Sequence, residues 1–176
     1  MAVGIGRPVG GLARTRALLQ ISIIAVGRAK NTPEEAVVED YRRRLGAMGR
    51  KLGLDGLTIV EVEDRKEGPG RKEREASLIT ARLPAGAVLV ALDEHGQDIS
   101  SAKLADRLKS NLEAGTRHLV FVIGGADGLS EDVLALAKLK IAFGGATWPH
   151  LLIRAMLAEQ LYRAVTILSN HPYHRA

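Results

Sequence analysis

The chain has 176 residues, 46% of them hydrophobic, which suits one domain with a packed core. Aromatic residues make up only 3%, so the core is aliphatic and broad aromatic platforms for stacking bases are disfavoured. A formal charge of +5 permits a polyanionic partner, and the absence of cysteine excludes disulfides, thiolate metal sites and a Cys nucleophile, as expected for a cytosolic protein.

Residues 1–17 are rich in Gly and Arg and lack the apolar centre of a secretory signal. They read as a disordered extension or the product of an upstream start codon, with the folded domain over 18–176. No apolar run reaches the roughly 20 residues that would span a bilayer.

The first element is a buried strand, Leu19 to Val26, closed by Gly27. Thr32-Pro33-Glu34-Glu35 then forms a capping box with Pro in the first turn, opening a helix through Tyr41 and Leu45. Leu57 to Val62 reads as a second strand, and Glu73 to Leu83 as a second helix after the turn Gly68-Pro69-Gly70. Ala87 to Leu92 is a third strand. Ser100 or Ser101 caps a third helix, whose Leu104, Leu108 and Leu112 repeat every four residues until Gly115. His118 to Ile123 is a fourth strand, Ser130 caps a short helix with acids in its first turn, and Leu139 to Phe143 is a fifth strand. A long helix from Leu151 to Leu168 carries Leu152, Met156, Leu157, Leu161 and Val165 on one face. Apolar strands alternating with amphipathic helices predict a single α/β domain, a mostly parallel sheet covered by helices on both faces.

Ligands of such sheets bind beyond the carboxyl ends of the strands. After the first strand, Gly27-Arg28-Ala29-Lys30 lacks the GxGxxG spacing of dinucleotide sites, and no P-loop occurs anywhere. The third, fourth and fifth strands lead into Leu92-Asp93-Glu94-His95-Gly96, Gly124-Gly125-Ala126-Asp127-Gly128-Leu129 and Phe143-Gly144-Gly145-Ala146-Thr147-Trp148. Glycines there either make tight turns or expose backbone N–H groups to a ligand; three such loops together favour the second use as much as the first. On the last helix Arg154, Glu159, Gln160 and Arg163 interrupt an apolar sequence and need partners across an interface, unless they mark an exposed edge. His171 and His174 have no third ligand, so a metal site is not expected. Asp93, His95, Ser130 and His150 lack the GxSxG context of a hydrolase.

LDEHG (Leu92 to Gly96), FVIGGADGLS (Phe121 to Ser130), WPHLLIR (Trp148 to Arg154), EQLYRA (Glu159 to Ala164) and HPYHR (His171 to Arg175) stand in an order and spacing that resemble the RlmH family of SPOUT-class ribosomal RNA methyltransferases. The resemblance runs from about Leu18 to the C-terminus. It implies a C-terminal trefoil knot, a homodimer and a cytoplasmic enzyme. It also implies transfer of a methyl group from S-adenosylmethionine (SAM) to N3 of a pseudouridine in a 23S ribosomal RNA stem-loop on assembled ribosomes. By motif, the cofactor contacts fall on Leu92, Gly124, Phe143, Gly144, Gly145, Ala146, Thr147 and Trp148, with no metal. Arg163, Tyr173, His174 and Arg175 are the candidates for catalysis: the arginines for charge stabilisation and RNA phosphates, His174 for proton removal. A SPOUT enzyme acting on another RNA such as tRNA, and a non-catalytic ribosome-binding module, are the competing readings. The residues before Leu18 have no counterpart in the family, and the Gly144-Gly145 pair makes for a flexible cofactor loop.

Overall fold

A computed structural model describes residues 17–66 and 68–175. Most of the N-terminal extension expected over 1–17 lies outside the described residues. The chain runs β1 (Leu19–Val26), α1 (Pro33–Gly49), a 3-10 turn, β2 (Leu54–Val62), α2 (Arg71–Thr80), β3 (Val88–Asp98), α3 (Ser101–Glu113), β4 (His118–Ile123), α4 (Glu131–Leu136), β5 (Leu139–Ala142) and α5 (His150–Leu168). A 3-10 turn over Pro172–Arg175 follows. The five strands form one sheet in the order β2-β1-β4-β3-β5, every pair parallel.

Alternate residues of the central strands feed two cores. Ile21, Ile23, Phe121 and Ile141 pack under α1, α3 and α5, with Leu45, Leu108, Leu157 and Leu161 among the residues that cover them. Ile24, Val26, Val120 and Val122 face the opposite way, against Ala76 and Ile79 of α2 and Val133 and Leu134 of α4. Helices thus cover both faces, as the apolar character of the strands requires.

The helix starts are fixed by local chemistry. The hydroxyls of Thr32, Ser100 and Ser130 accept the N–H groups of Glu35, Lys103 and Val133. Ser100 is therefore the cap of α3, and Ser101 donates instead to Gln160 at 2.6 Å.

Two boundaries differ from the sequence reading in a way that shapes the site. β3 continues past Leu92 to Asp98, and both Leu92 and Gln97 stand in register with Ile141. Residues 93–96 bulge away, and Gln97–Asp98 return to pair with the end of β5. Only glycine allows the return at position 96, where a Cβ would meet the Ile141 carbonyl carbon at 2.6 Å. The second difference concerns α5. Leu157, Leu161 and Val165 are fully buried, whereas Leu152 is exposed and Met156 only partly covered. The sequence grouped all five on one face; the structure puts only three in the core and leaves Leu152 and Met156 on an open surface.

Candidate active site

The bulge within β3, the loops after β4 and β5 and the first turn of α5 surround a cavity of about 640 Å³ at the carboxyl-end side of the sheet. Leu92, Gly124, Phe143, Gly144, Ala146, Thr147 and Trp148 all line it. Gly145 shares their loop but not the lining, and a Cβ there would meet nothing within 4 Å.

Each wall has a local reason for its shape. Gly124 is buried, and a Cβ on it would stand 2.6 Å from the Gly128 carbonyl carbon and 2.9 Å from the Leu129 nitrogen. The two ends of the loop therefore touch backbone to backbone, and Gly128 turns it with φ 73°. Gly144 also has positive φ, at 80°. Its N–H donates to Asp98 Oδ1 at 3.0 Å, while Trp148 Nε1 donates to the Phe143 carbonyl at 2.9 Å. These two bonds pin a loop that its glycine pair alone would leave loose.

The charge of the cavity is as informative as its shape. Asp93, Glu94 and Asp127 line it, and among the described residues no lysine or arginine does. His150 is the remaining titratable group, and it is held below the ordinary histidine range by desolvation and by the nearby Arg154 guanidinium. A cavity with three carboxylates and an uncharged imidazole suits a cationic ligand and disfavours a polyphosphate.

Beneath it, Arg154 is almost fully buried. Its guanidinium donates to Glu61 at 2.8 Å and to the carbonyls of Val26 and Gly27 at 2.7 and 2.8 Å, joining α5 to the ends of β1 and β2. Burial pushes its pKa down, and Glu61 acts in the opposite direction.

The four residues expected to be catalytic lie at the other end of α5. Arg163 pairs with Glu159 at 2.7 Å and stacks over the Tyr173 ring, 5.0 Å from its centroid. The Tyr173 hydroxyl donates to Glu159 at 3.1 Å and lies 3.1 Å from the Tyr41 hydroxyl. Desolvation, the bond to Tyr41 and the charge of Glu159 all raise its pKa, so it stays protonated. His174 is half-buried with Nδ1 unpartnered, and Arg175 is exposed. Tyr41 and Glu159 also line a second, open cavity of about 910 Å³, which shares Ala142, Phe143 and Gly144 with the first. Arg163 and Tyr173 thus connect to this shared wall through Glu159, whereas His174 and Arg175 line neither cavity. Tyr173→Phe removes one hydroxyl from a network in which Glu159 keeps Arg163 and Gln160, so urea unfolding should show a loss of about 1 kcal/mol.

Sequence reading missed Tyr41, Glu61 and Asp98, whose roles depend on partners distant in the chain. The hydrolase-like set does not assemble. Ser130 caps α4, and His95 is exposed beside Asp93 at 3.5 Å. Among the described residues there is no cluster of three or more metal-ligating side chains.

Residues 19–174 match the family described as predicted SPOUT methyltransferase. A ribosomal RNA large subunit methyltransferase H from Rhodopseudomonas palustris (strain ATCC BAA-98 / CGA009) is 48% identical over 160 residues, covering 90% of this chain and 100% of that protein. One of the same name from Ruegeria pomeroyi is 49% identical over 158 residues, covering 89% of this chain and 99% of that one. A probable methylase family protein from Haemophilus influenzae Rd KW20 shares the fold with a TM-score of 0.50 and 11% identity, over 88% of this chain and 69% of that one. With its acid-lined cavity at three glycine-bearing strand ends and these similarities along nearly its whole folded length, the chain belongs to the SPOUT methyltransferase family, in its RlmH branch.

Proposed function

We propose that the protein methylates N3 of a pseudouridine in a stem-loop of 23S ribosomal RNA, using SAM, as a homodimer acting on assembled ribosomes in the cytoplasm. The observation that carries this reading is the cavity of Asp93, Glu94 and Asp127 enclosed by the three glycine-bearing loops. SAM supplies a methyl group already activated on a positively charged sulfonium. The chain contributes placement: loops 124–128 and 143–148 offer backbone groups at close range, and the carboxylates favour the cation.

The homodimer rests on the second cavity. Val37, Leu152 and Met156 line it, and Val37 and Leu152 are exposed apolar side chains beside the shared wall at Phe143 and Gly144. A second copy seated there would cover this apolar surface and bring its own groups next to the cofactor loops. Arg163 and Tyr173 connect to that face through Glu159, and with His174 and Arg175 of the tail they would meet RNA phosphates or bases.

The test is to incubate the purified protein with radiolabelled SAM and, separately, with 70S ribosomes, free 50S subunits and tRNA from a strain lacking the modification. Label in 23S RNA of 70S particles is the expected result. SAM binding by calorimetry with no label in ribosomal RNA overturns the substrate assignment, and label in tRNA alone replaces it.

A further inference from the structure

His150 stands apart from the residues already given roles. It opens α5, in a first turn held by the Ile153 N–H to Pro149 carbonyl bond, and its imidazole lines the cofactor cavity. None of the hydrogen bonds among the described residues engages its ring nitrogens, so both are available to a ligand. His150 is exposed, with one edge of its ring beside the end of β1. Gly27, at the end of β1 with φ 89°, leaves room for it: a Cβ there would meet His150 Nε2 at 3.4 Å and the Arg154 guanidinium at 3.6 Å. Arg154, one helical turn along, is itself fixed by Glu61 and two backbone carbonyls. An imidazole at a helix start, lining the cavity beside a buried and anchored arginine, is within reach of a ligand held there.

We propose that His150 is a catalytic residue, whose imidazole takes the proton from the acceptor nitrogen as that nitrogen attacks the methyl carbon. This rests on the reading of the cavity as the site of SAM and the target base. The step balances. The N–H bond of the base breaks and an N–H bond forms on the imidazole; an N–C bond forms as the S–C bond breaks and its electron pair returns to sulfur. The positive charge lost from the sulfonium appears on the imidazolium, so the net charge of the cavity is unchanged. The charged groups around the ring suit that exchange. Asp93, Glu94 and Asp127 face the same space and stabilise a cation in either position. Arg154 and Glu61 lie behind it as a pair, and Arg154 together with desolvation keeps the resting imidazole neutral and able to accept. His174 sits instead on the tail with its Nδ1 buried.

The test has two independent readouts. The first is the ring Cε1 proton of His150, identified in NMR spectra by its loss in His150→Gln and followed against pH. Its midpoint should lie below the ordinary 6.5 in the free protein and lower with SAM than with S-adenosylhomocysteine, which differs by the sulfonium charge and its methyl. Equal midpoints in the two complexes would mean that the ring is far from the reacting sulfur and would overturn the proposal. The second is single-turnover transfer to ribosomes. His150→Ala and His150→Gln, each checked for a wild-type unfolding transition, should both lose about a hundredfold in rate, with SAM affinity changed by less than about threefold. In the wild type the rate should hold until the pH falls below the usual histidine range, then drop as the imidazole protonates; this acidic limb should vanish in both variants. A full rate in His150→Gln shows hydrogen bonding without proton transfer and overturns the proposal, as does a loss explained entirely by weaker SAM binding. If the wild type labels no ribosomal RNA, the substrate reading fails and the proposal fails with it; if the wild type labels and His150→Ala labels equally fast, only the proposal fails.

Discussion

Gly124→Ala is expected to weaken SAM binding about a hundredfold, measured by calorimetry on the purified protein, while the fold persists. The argument is steric. An added Cβ would stand 2.6 Å from the Gly128 carbonyl carbon, 2.8 Å from its oxygen and 2.9 Å from the Leu129 nitrogen. All three are backbone atoms, which cannot rotate away as a side chain would, so the loop from 124 to 128 must move as a unit. Overpacking of this kind costs about 1–3 kcal/mol, and because the loop forms one wall of the cavity, the displacement falls on the ligand. Gly145→Ala is the matched control. It lies in the loop 143–148 beside the same cavity, yet its Cβ would meet nothing within 4 Å, so binding should change by less than about twofold. A Gly124→Ala protein that binds SAM within threefold of wild type would show that the close approach of the loop ends is not needed for the ligand.

Features set by local chemistry were legible before the fold was known. The run His118 to Ile123 forms β4 with the expected boundaries, and the caps at Thr32 and Ser130 follow from side chains a few residues from the N–H groups they satisfy. The glycine loops were legible for the same reason, although their enclosure of one cavity depends on the strand order β4-β3-β5. The extension of β3 was hidden because Asp93 to Asp98 is polar and only its end, Gln97–Asp98, pairs with β5, more than forty residues later, after a bulge that Gly96 permits. On α5 the spacing of Leu152 and Met156 matches that of buried leucines; periodicity records that a side chain is apolar, not what lies opposite it. The polar groups of that helix needed partners, which the sequence showed, but the identity of those partners did not follow. Glu159 receives Tyr173 from the tail, Gln160 receives Ser101 from α3, and Arg154 reaches Glu61 across 93 residues.

That last contact supports the largest expected loss of stability. Arg154→Met keeps most of the apolar stem but removes the guanidinium, leaving the carbonyls of Val26 and Gly27 without their donor and Glu61 without its cation. Breaking a buried ion pair from one side costs about 3–5 kcal/mol. The Glu61 side chain is about one-third exposed (35%) and keeps the Ala29 N–H at 2.8 Å, so hydration relieves part of its charge and the expected loss is about 3 kcal/mol by urea unfolding. Glu61→Gln should cost less, about 1 kcal/mol, because Arg154 retains both carbonyls and an amide oxygen can still accept. Arg154→Lys should recover only part of the loss, since a single ammonium cannot reach three acceptors in the fan that a guanidinium spans. Equal stability of Arg154→Met and wild type would mean that the pair does not hold α5 to the sheet. The same substitution carries a signature outside stability. Arg154 is one of the two causes that keep His150 neutral, so in Arg154→Met the His150 ring should titrate nearer its ordinary value. A catalytic imidazole would then lose its free-base form at a higher pH, moving the acidic limb of the transfer rate upward. Loss of stability alone would lower the amount of folded enzyme without moving that limb.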